Sequence, residues 1–424
     1  MWAARNWLAL CALGLFVGTD YKFRRRDATA GTTGQLDVYI LLELAIYAAV
    51  GGYLLVRRSS PPRAVRLPAP LVLTGAYLLT LLVSLSATPY KVFGAARVVE
   101  TAILMLCALI AARQATRDDL HRMAHAFLVL VAVSVGYGVL VPSDPLSNLQ
   151  AGRFTWLALH PGRAGAFCGV AAAIAFVYLV QPGPRPGPRW HRGLYLAFLL
   201  VAAGAVYETH ARAAVAGTVA ALVTVAWSVL PGAGRRVELV LGLAAGGSLA
   251  GLLALDPITA YLARGENPEE LSTLNARTGL WQAALDAVAH RPVYGYGVGA
   301  SQGIFLDTVG LGGGHNMVIN VVVDLGLFGL LVWVLLVGTT VLRVAALPRA
   351  GLPALQVDRA VLVGVLTYVL VDGIFGAGPG GVANVSATWF FLVVGWLCCL
   401  VRLVQEERVA ARVRVAPDAA LSGR

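Results

Sequence analysis

Runs of roughly 18 or more apolar residues recur from one end of this 424-residue chain to the other. A run of that length matches the hydrocarbon thickness of a bilayer at a helical rise. In lipid each backbone N–H and C=O must find its partner within the protein, which leaves helices as the way to use such runs. The composition agrees: 58% of residues are hydrophobic and 13% charged, whereas a soluble domain carries about a quarter charged residues. The expectation is an all-α polytopic membrane protein, with residues 1–424 forming a single integral membrane domain.

About twelve spans are expected, at 3–19, 37–56, 69–87, 94–112, 123–142, 164–181, 193–209, 213–231, 237–255, 316–342, 360–378 and 384–401. The opening "MWAARNWLALCALGLFVGTD" has a weakly basic head and a short apolar core without a small-residue cleavage site. It reads as a retained first helix.

Net charge is +11, and the basic residues are nearly all Arg. "RRSSPPRAVR" at 57–66, "RQATRDDLHR" at 113–122, "GPRPGPRWHR" at 183–192 and "GRR" at 234–236 fall on one side as the spans alternate. Cytoplasmic loops are enriched in Lys and Arg, so that side is expected to be cytoplasmic, with both termini on it and 403–424 as a cytoplasmic tail. The basic stretch "DYKFRRRD" at 20–27 falls outside in this topology, where a phosphate-bearing ligand or lipid head group would suit it. Nucleic-acid binding would need a soluble basic face with interleaved aromatics, which the sequence lacks. Cys11, Cys107, Cys168, Cys398 and Cys399 all lie in apolar spans, with neither metal spacing nor a disulfide framework. They read as small core hydrophobes.

One outer loop is long, from 256 to 314. Within it Leu271, Leu274, Thr278, Trp281, Leu285 and Val288 recur at helical spacing, after Pro268, Glu269 and Glu270 and before Pro292. That pattern predicts an amphipathic helix on the outer membrane surface. "GYGVGASQG" at 295–303 lacks the Lys-Ser/Thr of a phosphate loop and reads as a re-entrant loop.

Polar groups at membrane depth are costly and need a reason. The outer face gathers Arg153, His160, Arg163, Glu208, His210, Arg212, Arg264, Arg277, His290, Arg291 and His315. An outward cavity lined by Arg and His suits an anion, because the guanidinium fork donates two parallel bonds to phosphate. At a tight turn, Glu208 and Arg212 either close a helical hairpin as an ion pair or free Arg212 for a phosphate. Arg277 and Trp281, one turn apart, either anchor a helix at the head groups or aim Arg277 at a lipid-linked phosphate. His315 opens the 316–342 span; it is either a packing group at a helix end or a general base, since imidazole titrates near neutrality. Asn316 stands where it can orient His315 or an acceptor, and Asn320 lies one turn deeper. Asp324 follows His315 by nine residues, which at 100° per residue places it on nearly the opposite face. It is expected to pair elsewhere. No Asp/Glu/His set has metal-ligand spacing, and none of the motifs implies a cofactor.

In order along the chain, "GRFTWLALHPGRAGAF" (152–167), "THARAA" (209–214), "RTGLWQAAL" (277–285), "HRPVYGYGVG" (290–299) and "GHNMVINVVVDLGLFGLL" (314–331) resemble the motifs of the O-antigen ligase and O-antigen polymerase family of bacterial envelope glycosyltransferases. Ala211 stands where that pattern has Ser, Gly162 where it has Asn, and Asp324 where it has Glu. The resemblance implies a GT-C-like helical enzyme of the bacterial cytoplasmic membrane whose site faces the periplasm. Such an enzyme takes a glycan from undecaprenyl pyrophosphate, without metal and with inversion, and gives it to an acceptor hydroxyl. Carried over by motif, His315 would activate the acceptor, and Arg212 and Arg277 would hold the leaving pyrophosphate. Arg153, Arg264 and Arg291 would join that clamp. Asn316, Trp281 and His290 complete the expected substrate-binding set.

The implied acceptor is lipid A-core for a ligase, and another lipid-linked repeat for an O-antigen or exopolysaccharide polymerase; the motifs do not separate the two. A secondary transporter is the reading from another class, since twelve spans permit it. The single large outer loop and the gathering of polar groups at one face argue against it.

Overall fold

The computed structural model describes residues 2–21, 38–58, 68–141, 152–156, 160–180, 190–230, 232–263, 277–310, 312–348, 353–376, 378–380 and 383–421. Among them every regular element is helical. A single turn, Trp2–Arg5, precedes α1 (Trp7–Asp20), α2 (Val38–Arg58), α3 (Ala69–Ser84), α4 (Lys91–Gln114) and α5 (Arg117–Leu140). Then come α6 (Pro161–Val180), α7 (Trp190–Glu208), α8 (Arg212–Val229), α9 (Ala233–Leu253) and α10 (Leu255–Ala263). The chain continues with α11 (Arg277–His290), α12 (Ala300–Val309), α13 (Met317–Ala345), α14 (Pro353–Phe375) and α15 (Val385–Leu421).

Eight of these helices are long and apolar enough to cross a membrane, or nine if the α9–α10 pair, bent by 90°, counts as one span. The protein is therefore a polytopic α-helical membrane protein, but by this measure it falls short of the twelve spans expected. Apolar run length overstates span length where the chain turns early. α1 and α3 are apolar yet only 14 and 16 residues long, and the run at 237–255 ends at the α9–α10 corner. Arg264, the basic residues at 22–27 and the first half of the expected amphipathic helix lie outside the described residues.

The core is aromatic at its centre. Phe16 of α1, Phe127 of α5, Phe167 of α6 and Trp389 of α15 meet with ring centroids 4.7–5.9 Å apart. All five cysteines are buried and free, as their apolar settings predict. Lipid tails are as apolar as Leu, so helices in a bilayer associate by close packing of small residues and not by hydrophobic exclusion. α6 is built for that: Ala164, Gly165, Ala166, Gly169 and Ala171–Ala173 are all buried. A Cβ on Gly165 would stand 2.6 Å from that of Ala214 in α8. This contact presses the start of α8 against the start of α6 and so fixes where Arg212 emerges.

The far ends of the helices are tied by Asp358 of α14. It is fully buried, meets Arg117 Nε at 2.8 Å and His121 Nε2 at 3.2 Å, and accepts from Trp396 Nε1 at 3.1 Å. Asp358 precedes Ile374, at the other end of α14, by sixteen residues, about 24 Å of helical rise.

α13 is not one continuous helix. At Gly326 the backbone takes φ 67° and ψ −171°, which side-chain-bearing residues rarely adopt. The chain at 292–297 docks into this break. Leu327 N–H donates to Pro292 O at 2.8 Å and Phe328 N–H to Val293 O at 3.2 Å, while Tyr296 and Gly297 N–H donate to Val323 O and Asp324 O at 2.9 and 2.7 Å. Irregular backbone at membrane depth is tolerated where protein satisfies it, and here a second strand of chain does so. The expected re-entrant loop is thus a fixed brace.

α11 packs on protein. Leu280 and Ala284 are buried against Phe305 of α12 and Val323 of α13, while Leu285, expected on the apolar face, is 65% exposed.

A candidate glycosyl-transfer site at the start of α13

His315 stands just ahead of α13. Its backbone is left-handed, with φ 46°, a conformation costing about 1–2 kcal/mol for a residue with a side chain. Two side chains hold it there. Asn320, buried one turn into α13, accepts the Gly314 N–H on Oδ1 at 2.7 Å. Asn316 caps α13, accepting from Val318 N–H at 2.8 Å and Ile319 N–H at 3.2 Å. Its amide donates to Ile374 O of α14 at 2.9 Å. Both ends of the Asn316 side chain are thus engaged in holding the helix start.

Among the described residues only Trp156, His210 and His315 combine a side chain with positive φ, at 49°, 49° and 46°. All three lie in connections between helices. The first two meet through Arg153. Its Nε donates to Thr209 O at 2.9 Å and its Nη2 to His210 O at 3.4 Å, and Phe154 N–H donates to Glu208 O at 2.9 Å. The segment 153–156 therefore clamps the turn 208–211, from which Arg212 opens α8. Arg153 was expected to hold phosphate; here its guanidinium satisfies carbonyls that the turn leaves without helical partners.

His160 links this clamp to His315. Its Nδ1 accepts the Gly162 N–H at 3.1 Å, so the neutral ring carries its proton on Nε2. Although part of its surface is exposed, desolvation by neighbouring protein, then the charges of Arg163, His315 and Arg153, hold its pKa below the ordinary histidine range. Those causes place Arg163, His315 and Arg153 each within electrostatic reach of His160. Arg163 Nη1 also lies 3.7 Å from the fully buried Asp20 Oδ1 at the end of α1. Nothing in the sequence marks Asp20, which ends an apolar run and reads as a helix boundary.

The α11 residues form a second group. Arg277 is the first residue of α11, and Trp281 packs half-buried on the Leu280–Phe305 cluster with its Nε1–H unpartnered among the described residues. His290 Nδ1 donates to Asp286 O of its own helix at 2.7 Å. Arg291 lies over the Tyr296 ring at 4.8 Å and so caps the loop docked at Gly326. Among the described residues, neither of these contacts joins His290 or Arg291 to His315.

Asp324 keeps the two groups in register. It is buried, and its Oδ2 and Oδ1 accept the N–H groups of Gly299 and Ser301 at 3.0 and 2.6 Å, capping α12. As helical phase predicts, it pairs elsewhere: with the Gly299 backbone and with the backbone and side chain of Ser301. Among the described residues no three His, Cys, Asp or Glu side chains gather as a metal site.

The decisive comparison covers this same stretch. Residues 196–334 match the O-antigen ligase family model. The matched segment runs from within α7 into α13 and contains Arg212, Arg277, His315, Asp324 and the break at Gly326. The family resemblance read from the motifs holds across it. Arg153 and His160 lie before the matched residues, yet Arg153 binds the turn before Arg212 and His160 feels the charge of His315. No curated protein matches the chain.

Proposed function

We propose that the chain is an O-antigen ligase. It transfers a glycan from undecaprenyl pyrophosphate to a sugar hydroxyl of lipid A-core at the periplasmic face of the bacterial inner membrane, with both termini cytoplasmic. The observation that carries this reading is the grouping of His315 and two arginines around His160. Arg153 holds the turn that presents Arg212, and the charges of Arg163, His315 and Arg153 all act on His160.

In this reading the acceptor hydroxyl gives its proton to the His315 imidazole. The hydroxyl oxygen attacks the anomeric carbon from the face opposite the pyrophosphate. The bond from that carbon to the pyrophosphate oxygen breaks, the configuration inverts, and undecaprenyl pyrophosphate leaves. Arg212 and Arg277 meet the negative charge that grows on the leaving oxygen, a role suited to fixed cations in a site poor in water. Because the arginines supply that charge, no metal ion is required. Trp281 covers the donor from α11.

The test is transfer by the purified protein in detergent. Lipid-linked glycan plus lipid A-core is expected to give glycosylated lipid A-core. Extension of the lipid-linked glycan without lipid A-core would instead establish a polymerase, and transfer to neither would reject the enzyme.

A further inference from the structure

Beside the arginine turn stands an aromatic group that neither the packing of the bundle nor the proposed chemistry uses. Tyr207, at the end of α7, stacks on Tyr261 of α10 with centroids 4.8 Å apart and planes 12° apart. His210 stacks on the same Tyr261 at 4.7 Å and 29°. The Tyr207 and His210 rings are 6.1 Å apart. Rings on opposite faces of Tyr261 would be separated by about 7 Å or more, two layers of aromatic contact, so both lie against one face.

The group is fixed in place. The Tyr261 hydroxyl donates to Tyr207 O at 2.9 Å, which ties α10 to the end of α7. The His210 carbonyl is held by Arg153, and His210 itself is in the left-handed region. Tyr207 nonetheless leaves 57% of its surface exposed. His210 precedes Arg212 by two residues, a reach of at most about 7 Å along the chain, close to the span of one pyranose ring.

We infer that Tyr207, His210 and Tyr261 form a stacking platform for the first pyranose ring of the lipid-linked glycan, the ring bonded to the diphosphate. This rests on the proposed reading of Arg212 as a diphosphate-binding group. A pyranose presents a face of C–H bonds that packs on the exposed ring of Tyr207, and its hydroxyl rim meets the polar edges of Tyr261 and His210. The platform would let the site tell a glycan-bearing donor from the spent carrier lipid, which has the same diphosphate and no sugar.

The experiment compares two probes on the full-length protein in detergent: undecaprenyl diphosphate, and the same lipid bearing an N-acetylglucosamine disaccharide. Tyr207→Leu keeps apolar bulk and removes the ring. It is expected to weaken binding of the glycan-bearing lipid by about fivefold to tenfold, the size of one aromatic stacking contact, and to shift the bare lipid by less than twofold. Tyr207→Phe is expected to retain most of the affinity that Tyr207→Leu loses. Equal weakening of both probes would overturn the proposal and make the stack a brace for α10. Unchanged binding of both would overturn it in favour of a head-group anchor of the kind aromatic belts provide. Wild-type protein that binds neither probe would instead reject the reading of Arg212, and the platform with it.

Discussion

Asn320 Oδ1 accepts the Gly314 backbone N–H at 2.7 Å, and the next residue is His315. A buried side chain one turn inside α13 thereby fixes the backbone that carries the proposed base. Asn320→Ala leaves that N–H without its partner, a cost of about 1–3 kcal/mol, and loosens His315. Turnover is expected to fall about tenfold or more while donor affinity changes little. Asn320→Asp, which keeps an acceptor oxygen, should retain more turnover than Asn320→Ala. Steady-state kinetics on both variants checks this.

Asp324 is a structural anchor in this account. Asp324→Ala strips the acceptor from two buried N–H groups, at Gly299 and Ser301, and should destabilise the fold by about 2–3 kcal/mol. Asp324→Asn, with one acceptor oxygen left, should lose less. Thermal unfolding in detergent reads the order wild type, Asn, Ala; an Asp324→Ala protein as stable as wild type would contradict the anchor.

His160 makes stability depend on pH. Its folded pKa is held below the unfolded value, so the unfolded chain takes up the proton first as pH falls. Stability contributed by the neutral ring is complete above the unfolded value, about 6.5, and declines as pH drops below it. Wild type should therefore lose more thermal stability between pH 7 and pH 5 than His160→Asn does. Parallel melting curves for the two proteins would contradict the account.

At the far end, Asp358→Ala should cost about 3 kcal/mol, because it leaves Arg117 and His121 facing a vacated buried site. Transfer per folded molecule should stay near wild type, since about 24 Å of helix separates Asp358 from the His315 end. A large loss of turnover in protein that remains folded would show that the two ends are coupled.

How much of this could be read in the sequence differs residue by residue. The apolar runs define most helices, and the motifs single out Arg212 and His315, each at the start of a helix. Helical phase separates Asp324 from His315. The carbonyl contacts of Arg153 were not legible, because residue type alone does not show which groups a guanidinium meets. Only the fold shows that the turn at 208–211 has carbonyls to satisfy. The break in α13 was also hidden: Gly326 is one glycine in a long apolar run, and the chain that fills the break comes from 292–297. Leu285 and Leu280 both suit an apolar stripe, and packing against Phe305 decides for Leu280. Tyr261 and Tyr207 are far apart in sequence and carry no pattern that links them.

The most direct test of the central claim is single-turnover transfer by His315→Asn. Asn enters the left-handed region more readily than Ala, so the loop geometry persists while the base is lost. With wild-type protein, lipid-linked glycan and lipid A-core as reference, the account predicts a rate lower by about 10²–10⁴-fold with binding of undecaprenyl diphosphate retained. Transfer within a few fold of wild type would contradict His315 as the base.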